Sequence, residues 1–221
     1  RRYGARLNLS TKIKKFVTAG ANFALSHSRS DEPRDRNNMQ NPFRAMYSYN
    51  PYEPVWVLDN SNNKVLDENG QPQYNPTSMG VNIIEAMKGA PSIDRNTRLL
   101  GSASLDFDIW RGIHFISRFT GNYGIYSGGT YTKPFSQLDD YVGDKSARGS
   151  RTVSGSQDFQ YGWLNQLEYT WTFADVHGVH AYLFSEFTRF NMQTYSFSKK
   201  GFPSPNLEQM DVASAVNNAG G

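Results

Sequence analysis

Cysteine is absent from the 221 residues, which excludes thiolate metal sites, a cysteine nucleophile and a disulfide framework. Histidine is scarce, with four in the chain. His177 and His180 flank a turn rather than converging, so no metal site is expected. No run of about 18 apolar residues occurs, which excludes a membrane-spanning helix. Charge of one sign is not in excess: 23 basic and 20 acidic residues are spread along the chain. Nucleic-acid binding calls for a concentrated basic face, and none is present. There is no phosphate loop, dinucleotide fingerprint or Gly-x-Ser-x-Gly motif, so no catalytic residue and no cofactor are expected. The chain also lacks an initiating Met and a signal peptide. It opens at Arg1 inside a strand pattern and ends at Gly220 and Gly221 after a helix-like stretch, and so reads as an internal fragment of a longer protein.

What is abundant is aromatic: 14% of residues, with 13 Tyr and 14 Phe. Tyr and Trp favour bilayer interfaces, where a ring is buried while its polar atom stays wet. Six stretches read as strands: Arg2–Ser10, Phe16–His27, Arg98–Trp110, Ile113–Ile125, Phe159–Phe173 and Val179–Phe190. Short turns at Thr11–Lys15, Arg111–Gly112 and Ala174–Gly178 join them in pairs. Long polar segments, Ser28–Thr97 and Tyr126–Asp158, separate the pairs. Alternation of short turns and long loops is the rhythm of a membrane β-barrel.

Side chains of a strand alternate between faces. In the third stretch Leu99, Gly101, Ala103, Leu105, Phe107 and Ile109 oppose Leu100, Ser102, Ser104, Asp106, Asp108 and Trp110. In the fifth, Phe159, Tyr161, Trp163, Leu167, Tyr169, Trp171 and Phe173 oppose Gln160, Gly162, Gln166, Glu168 and Thr170. The sixth is the least clean, with Tyr182 and Phe184 on its even side. Arg6, Asp106, Asp108, Arg118, Glu168 and Glu186 all fall on even faces, and Arg189, near a loop, is the exception. An Arg facing mid-bilayer lipid costs about 2–4 kcal/mol, so the odd faces are expected to meet lipid and the even faces the lumen. The short turns are then expected on the periplasmic side and the long loops outside. The fold class is all-β: an antiparallel transmembrane β-barrel segment. A soluble β-sandwich shows the same alternation, but globular strands average only about 5–6 residues.

The long segment from Ser28 to Thr97 is expected to carry structure or a binding role. Asn41-Pro42 predicts a helix start, and Ser78 to Lys88 a short helix capped by Ser78 and stopped at Gly89. Pro54–Asp59 and Lys64–Asp67 read as short strands, and Asp67-Glu68-Asn69-Gly70 as a turn. Phe43, Tyr47, Tyr49, Tyr52, Trp56 and Tyr74 cluster in this segment. They form either a platform for sugar rings or peptide side chains, or the loop's own small core. Tyr47, Tyr49, Tyr52 and Trp56 are the candidate substrate contacts. Asp59, Ser61 and Asn63 resemble the start of a calcium loop, but Lys64 and Gly70 stand where Gly and Glu are required. Asp139, Asp140 and Asp144 read as a solvated acidic turn.

Several words in the sequence carry a resemblance. Arg2-Tyr3-Gly4-Ala5-Arg6-Leu7-Asn8-Leu9 leads to Lys12-Ile13-Lys14-Lys15 and Ala19-Gly20-Ala21-Asn22. Asn41-Pro42-Phe43-Arg44 precedes Asn50-Pro51-Tyr52-Glu53-Pro54-Val55. Asn165-Gln166-Leu167-Glu168-Tyr169 is followed by Phe173, His180 and Gly201-Phe202-Pro203. In this order the set resembles the SusC/RagA family of TonB-linked outer-membrane proteins of Bacteroides-type Gram-negative bacteria, across nearly the whole chain. The resemblance implies about six strands of a barrel of about 22, of the plugged type. Residues 1–221 would be part of a TonB-dependent receptor barrel domain, with the plug domain absent and 28–97 an extracellular loop. It implies import of glycan fragments or peptides, energised by the TonB complex, with a SusD-like surface lipoprotein as partner. No family motif here carries a ligand residue, so none is transferred. Other readings remain: a soluble carbohydrate-binding sandwich, a passive porin or adhesin barrel, or a barrel enzyme such as a lipase.

Overall fold

A computed structural model describes residues 1–31, 41–67, 70–174 and 176–220. One sheet dominates it: β1 (Arg2–Lys14), β2 (Val17–Asp31), β3 (Ser92–Trp110), β4 (Ile113–Thr132), β5 (Ser150–Phe173), β6 (His177–Lys200) and β7 (Ala215–Gly220). Each strand lies beside its neighbour in sequence, in the order β1 to β7. β1 and β2 pair antiparallel from Arg2↔Ser28 to Lys14↔Val17, and β6 and β7 pair antiparallel from Ser196↔Gly220 to Lys200↔Ala215. A single sheet is not a sandwich, which needs a second sheet packed on its apolar face. Among the described residues no helix is long and apolar enough to cross a membrane.

All six expected strands are present, and most are longer than the alternation indicated. β3 to β6 run 19, 20, 24 and 24 residues, whereas a bilayer crossing takes about 9–11. The segment Tyr126–Asp158 is therefore not a loop throughout: β4 continues to Thr132 and β5 starts at Ser150. The added stretches are polar on both sides, and a strand without a lipid face loses its period-2 signature. The first turn contracts from Thr11–Lys15 to Lys15–Phe16, because Thr11 pairs with Ala19. Arg111 and Gly112 turn as expected, with Gly112 at φ +74°. A side chain there would meet the Thr170 carbonyl oxygen, and Thr170 N–H bonds to the Gly112 carbonyl at 2.7 Å. In the third turn Asp175 lies outside the described residues. The helix-like stretch before Gly220 is instead a 3-10 turn at Met210–Val212 followed by β7; Gly221 lies outside the described residues.

The chain divides into two compact units: 1–29, 95–127 and 155–194, and 30–94, 128–154 and 195–221. The first is sheet alone. Its odd face carries linked rings, Phe119 to Tyr161 at 6.4 Å and Tyr161 to Phe187 at 6.1 Å between centroids. Ile109 and Leu183 on this face stay 60% and 73% exposed, so no described part of the chain packs over them. Two polar residues interrupt it: Trp163 Nε1 donates to Ser117 Oγ at 2.9 Å, and Ser117 Oγ donates to Asn165 Oδ1 at 2.8 Å. Such internal satisfaction is what a lipid-facing polar group requires.

The second unit holds three short helices: α1 (Pro42–Ser48), α2 (Ile83–Gly89) and α3 (Gln137–Val142). Asn41 caps α1, its side chain accepting from Phe43 N–H at 2.9 Å, as the Asn-Pro start predicts. The second helix starts later than expected and is capped by Asn82, which accepts from Ile84 N–H at 3.0 Å. Ser78 is occupied elsewhere, donating its N–H to Glu53 Oε1 at 2.7 Å. A small apolar cluster of Tyr131, Phe202 and Ala213 lies in the same unit.

Between α1 and α2 the chain makes an eight-residue repeat, Val57–Lys64 (VLDNSNNK) and 65–72 (VLDENGQP). Its backbone closes a ring: Val65 N–H to Val57 O, Gln73 N–H to Val65 O and Val57 N–H to Gln73 O, each 2.9 Å. Asp59 Oδ1 accepts from Asn63 N–H and Asp67 Oδ1 from Gln71 N–H, both at 2.8 Å. Asn62 and Gly70, eight apart, both take positive φ, 66° and 72°. The expected short strands are thus single bridges, Trp56↔Tyr74, Leu58↔Lys64 and Leu66↔Pro72. Of the expected Asp67–Gly70 turn, Glu68 and Asn69 lie outside the described residues.

Candidate functional site

The four candidate contacts separate into two kinds. Tyr49 is structural: its hydroxyl donates to Val81 O at 3.0 Å and accepts from Ile83 N–H, tying α1 to the start of α2. Burial raises its pKa above the ordinary tyrosine value. Trp56 stacks on Tyr74 with centroids 4.3 Å apart, and the Lys64 ammonium lies 4.9 Å from its ring centre. On the other side of the stack Lys88 donates to the Tyr74 hydroxyl at 2.8 Å. Tyr47 and Tyr52 are free, 90% and 82% exposed. α1 buries Ala45 and turns Phe43 and Met46 outward with Tyr47. Tyr49, Trp56 and Tyr74 form the loop's own small core, while Phe43, Met46, Tyr47 and Tyr52 stay exposed. Met46 was missed; its signal is the i, i+3, i+4 spacing of Phe43, Met46 and Tyr47 after a helix start.

The acidic residues are used internally. Asp139 is buried rather than solvated: it accepts from Gly149 N–H at 2.9 Å and Phe135 N–H at 3.1 Å, and pairs with Arg148 at 3.4 Å. Arg148 also bonds Asp140, which raises the guanidinium pKa. Asp144 binds Ser146 Oγ at 2.6 Å, and that bond holds its carboxyl below the ordinary aspartate range. Asn63 N–H does the same for Asp59. Among the described residues no group of three His, Cys, Asp or Glu is placed to hold a metal.

A second feature lies wholly in the first unit. Its even face encloses a trough of about 560 Å3. Amide and hydroxyl groups line it, among them Asn8, Asn22, Asn122 and Thr120, with Arg6 and Glu186 the charged members. Asn22 Nδ2 donates to Ser102 Oγ at 3.1 Å across the β2–β3 seam. The face is mostly polar, with exceptions on β3, where Leu100 and Trp110 are exposed, and on β6, where Tyr182, Phe184, Phe190 and Met192 remain more than half exposed.

No protein-family model matches the chain, and no curated protein matches it. Solved structures do. The RagAB peptide transporter aligns with TM-score 0.68 and 16% identity over 97% of this chain. The RagAB peptide importer aligns in its "open-open" state with TM-score 0.73 and in its "closed-closed" state with 0.67, each at 16% identity over 99%. The chain is an antiparallel transmembrane β-barrel segment. It spans 23–24% of the length of these chains, so the likeness bears on fold alone.

Proposed function

We propose that this segment forms part of the wall of an outer-membrane active transporter of the SusC/RagA kind. The reading has it import glycan fragments or peptides, energised by TonB and working with a SusD-like surface lipoprotein. The observation that carries it is the likeness to the RagAB peptide importer along 99% of the chain. It agrees with the ordered sequence words, which point to the same family independently of the fold. In this reading the odd face meets lipid, the even face lines the lumen, and residues 28–97 belong to the extracellular side. Its mechanism is binding and gating rather than bond chemistry.

The exposed Tyr47 and Tyr52 are the contacts most available to substrate or lipoprotein. Uptake of labelled peptide and glycan by cells carrying the full-length protein tests the function. Import that stops when TonB is deleted supports active transport, and import that continues unchanged replaces it with a passive pore. Tyr47→Ala with Tyr52→Ala should lower uptake or lipoprotein binding without altering assembly.

A further inference from the structure

We propose that the odd face of the first unit carries a site for an anionic phospholipid: an acyl chain lies in the cleft beside the first two turns, and Lys14, Lys15 and Arg111 meet the phosphate. The inference rests on the transporter reading only in setting the odd face against lipid and the short turns at the periplasmic leaflet.

The cleft is apolar and open. Phe16, Phe107, Ile109 and Phe115 line a space of about 360 Å3. Ligand pockets start at about 300 Å3, so part of an acyl chain fits. Phe107 and Phe115 face each other across β3 and β4 with ring centroids 6.0 Å apart. Phe16 stays 51% exposed, and Ile109 is open as described above. The lining offers no hydrogen-bonding side chain, so hydrocarbon is the ligand chemistry it suits.

Cations gather at the same end. Phe16 O accepts from Asp108 N–H at 2.9 Å, which sets the β1–β2 turn beside the end of β3, close before Arg111. A bulge between Lys12 and Lys14 breaks the side-to-side alternation there. Lys14 Nζ lies 6.0 Å from the centre of the Phe16 ring, so the charge stands next to the cleft. Lys14, Lys15 and Arg111 are exposed, and none makes an ion pair among the described residues. The carboxylates nearby in sequence, Asp106 and Asp108, alternate to the even side of β3, and Asp108 pairs with His114 Nδ1 at 2.6 Å.

Depth agrees with a headgroup. Thr170 N–H bonds to the Gly112 carbonyl, so Trp171 stands level with the Arg111 turn. Trp favours the boundary between water and bilayer. A phospholipid supplies an anion at that boundary and hydrocarbon beneath it. A soluble phosphate supplies only the anion. A zwitterionic lipid brings its own cation back beside the lysines.

Native mass spectrometry of the purified full-length protein in detergent tests the site. The probes are phosphatidylglycerol, phosphatidylcholine with the same acyl chains, glycerol 3-phosphate and lipid A. Phosphatidylglycerol should be retained about tenfold over phosphatidylcholine, and each lysine removed in Lys14→Gln with Lys15→Gln should cost about fivefold of its retention. Lys14→Arg with Lys15→Arg should keep it. Ile109→Trp, which fills the cleft and leaves the charges, should weaken both phospholipids alike. Equal retention of the two phospholipids overturns the site, as does indifference to these substitutions. Full competition by glycerol 3-phosphate overturns the acyl-chain contact, and preference for lipid A overturns the assignment to the periplasmic leaflet. Uptake in cells separates the two levels. Import of peptide or glycan by a protein without lipid selectivity sinks the site and leaves the transporter standing. Parent cells that import neither, with the selectivity intact, sink the transporter reading and leave the site.

Discussion

The two units are stabilised by different means. In the first, strands carry the structure and side chains are largely sorted by face: mostly rings and aliphatics on one side, mostly amides, hydroxyls and charges on the other, with β6 apolar on both. In the second, side chains bond to backbone. Asn41, Asn82 and Ser136 cap helices, and Asp59 and Asp67 close turns. Gln137 accepts from Asn82 N–H at 2.7 Å and donates to Tyr74 O at 2.6 Å. A sheet in a bilayer has all its backbone groups paired by its neighbours, so the solvent around it decides which side chains go where. A set of short loops in water has no such ladder, and individual polar residues must supply the partners.

Five substitutions probe this contrast, beginning with the strongest. Leu105→Arg, on the odd face, should cost about 2–4 kcal/mol if the site is near the bilayer midplane, and should block assembly of the full-length protein. Ser104→Arg, one residue away on the even face, should assemble normally. Heat-modifiable mobility of outer-membrane fractions reads both, and equal behaviour would refute the face assignment. Gly112→Ala should destabilise the β3–β4 hairpin by about 1–3 kcal/mol, through its left-handed backbone and the crowding of Thr170. Urea unfolding in detergent measures that loss.

Asn82→Ala acts in the second unit instead. It removes the α2 cap and the amide's bonds to Val55 O at 3.1 Å and Asn75 O at 2.9 Å. A local loss of about 2 kcal/mol is expected. Hydrogen exchange should quicken over residues 54–90 and stay unchanged in the first unit. The smallest effect belongs to Glu85. Burial raises its pKa, and its Oε2 has no partner among the described residues although Oε1 accepts from Gln137 N–H at 3.3 Å. A carboxyl whose folded pKa is raised favours the folded state when protonated. Protection of α2 and α3 should therefore increase as pH falls through the raised value, then level off below the ordinary glutamate range. Glu85→Gln should flatten that dependence, and a slope that survives it points to another group.

The faces of the first unit were legible because side chains of a strand alternate and one face is mostly apolar. Leu99 through Ile109 and Phe159 through Phe173 announce their sides without help. The same logic explains where the strands were cut short. Residues 126–132 (YSGGTYT) and 150–158 (SRTVSGSQD) are polar on both sides, so their strand character comes from pairing with neighbours. In the second unit single residues misled. Ser78 is as good a cap as Asn82 by composition, and only the three-dimensional position of Glu53 takes it away. The aromatic cluster was visible, but its division was not. Whether a Tyr hydroxyl meets a carbonyl, as in Tyr49, or water, as with Tyr47, depends on contacts 32 residues apart in the chain. The octapeptide repeat was readable in principle from VLD recurring at positions 57 and 65.

That repeat has a consequence for how such a protein changes over generations. Each eight-residue turn closes on its own Asp and hands an identical backbone edge to the next. A change of length in steps of eight keeps each Asp in register with the amide it holds, but it must re-close the ring that Val57 N–H makes with Gln73 O. The stack of Trp56 and Tyr74 is the clasp at that closure.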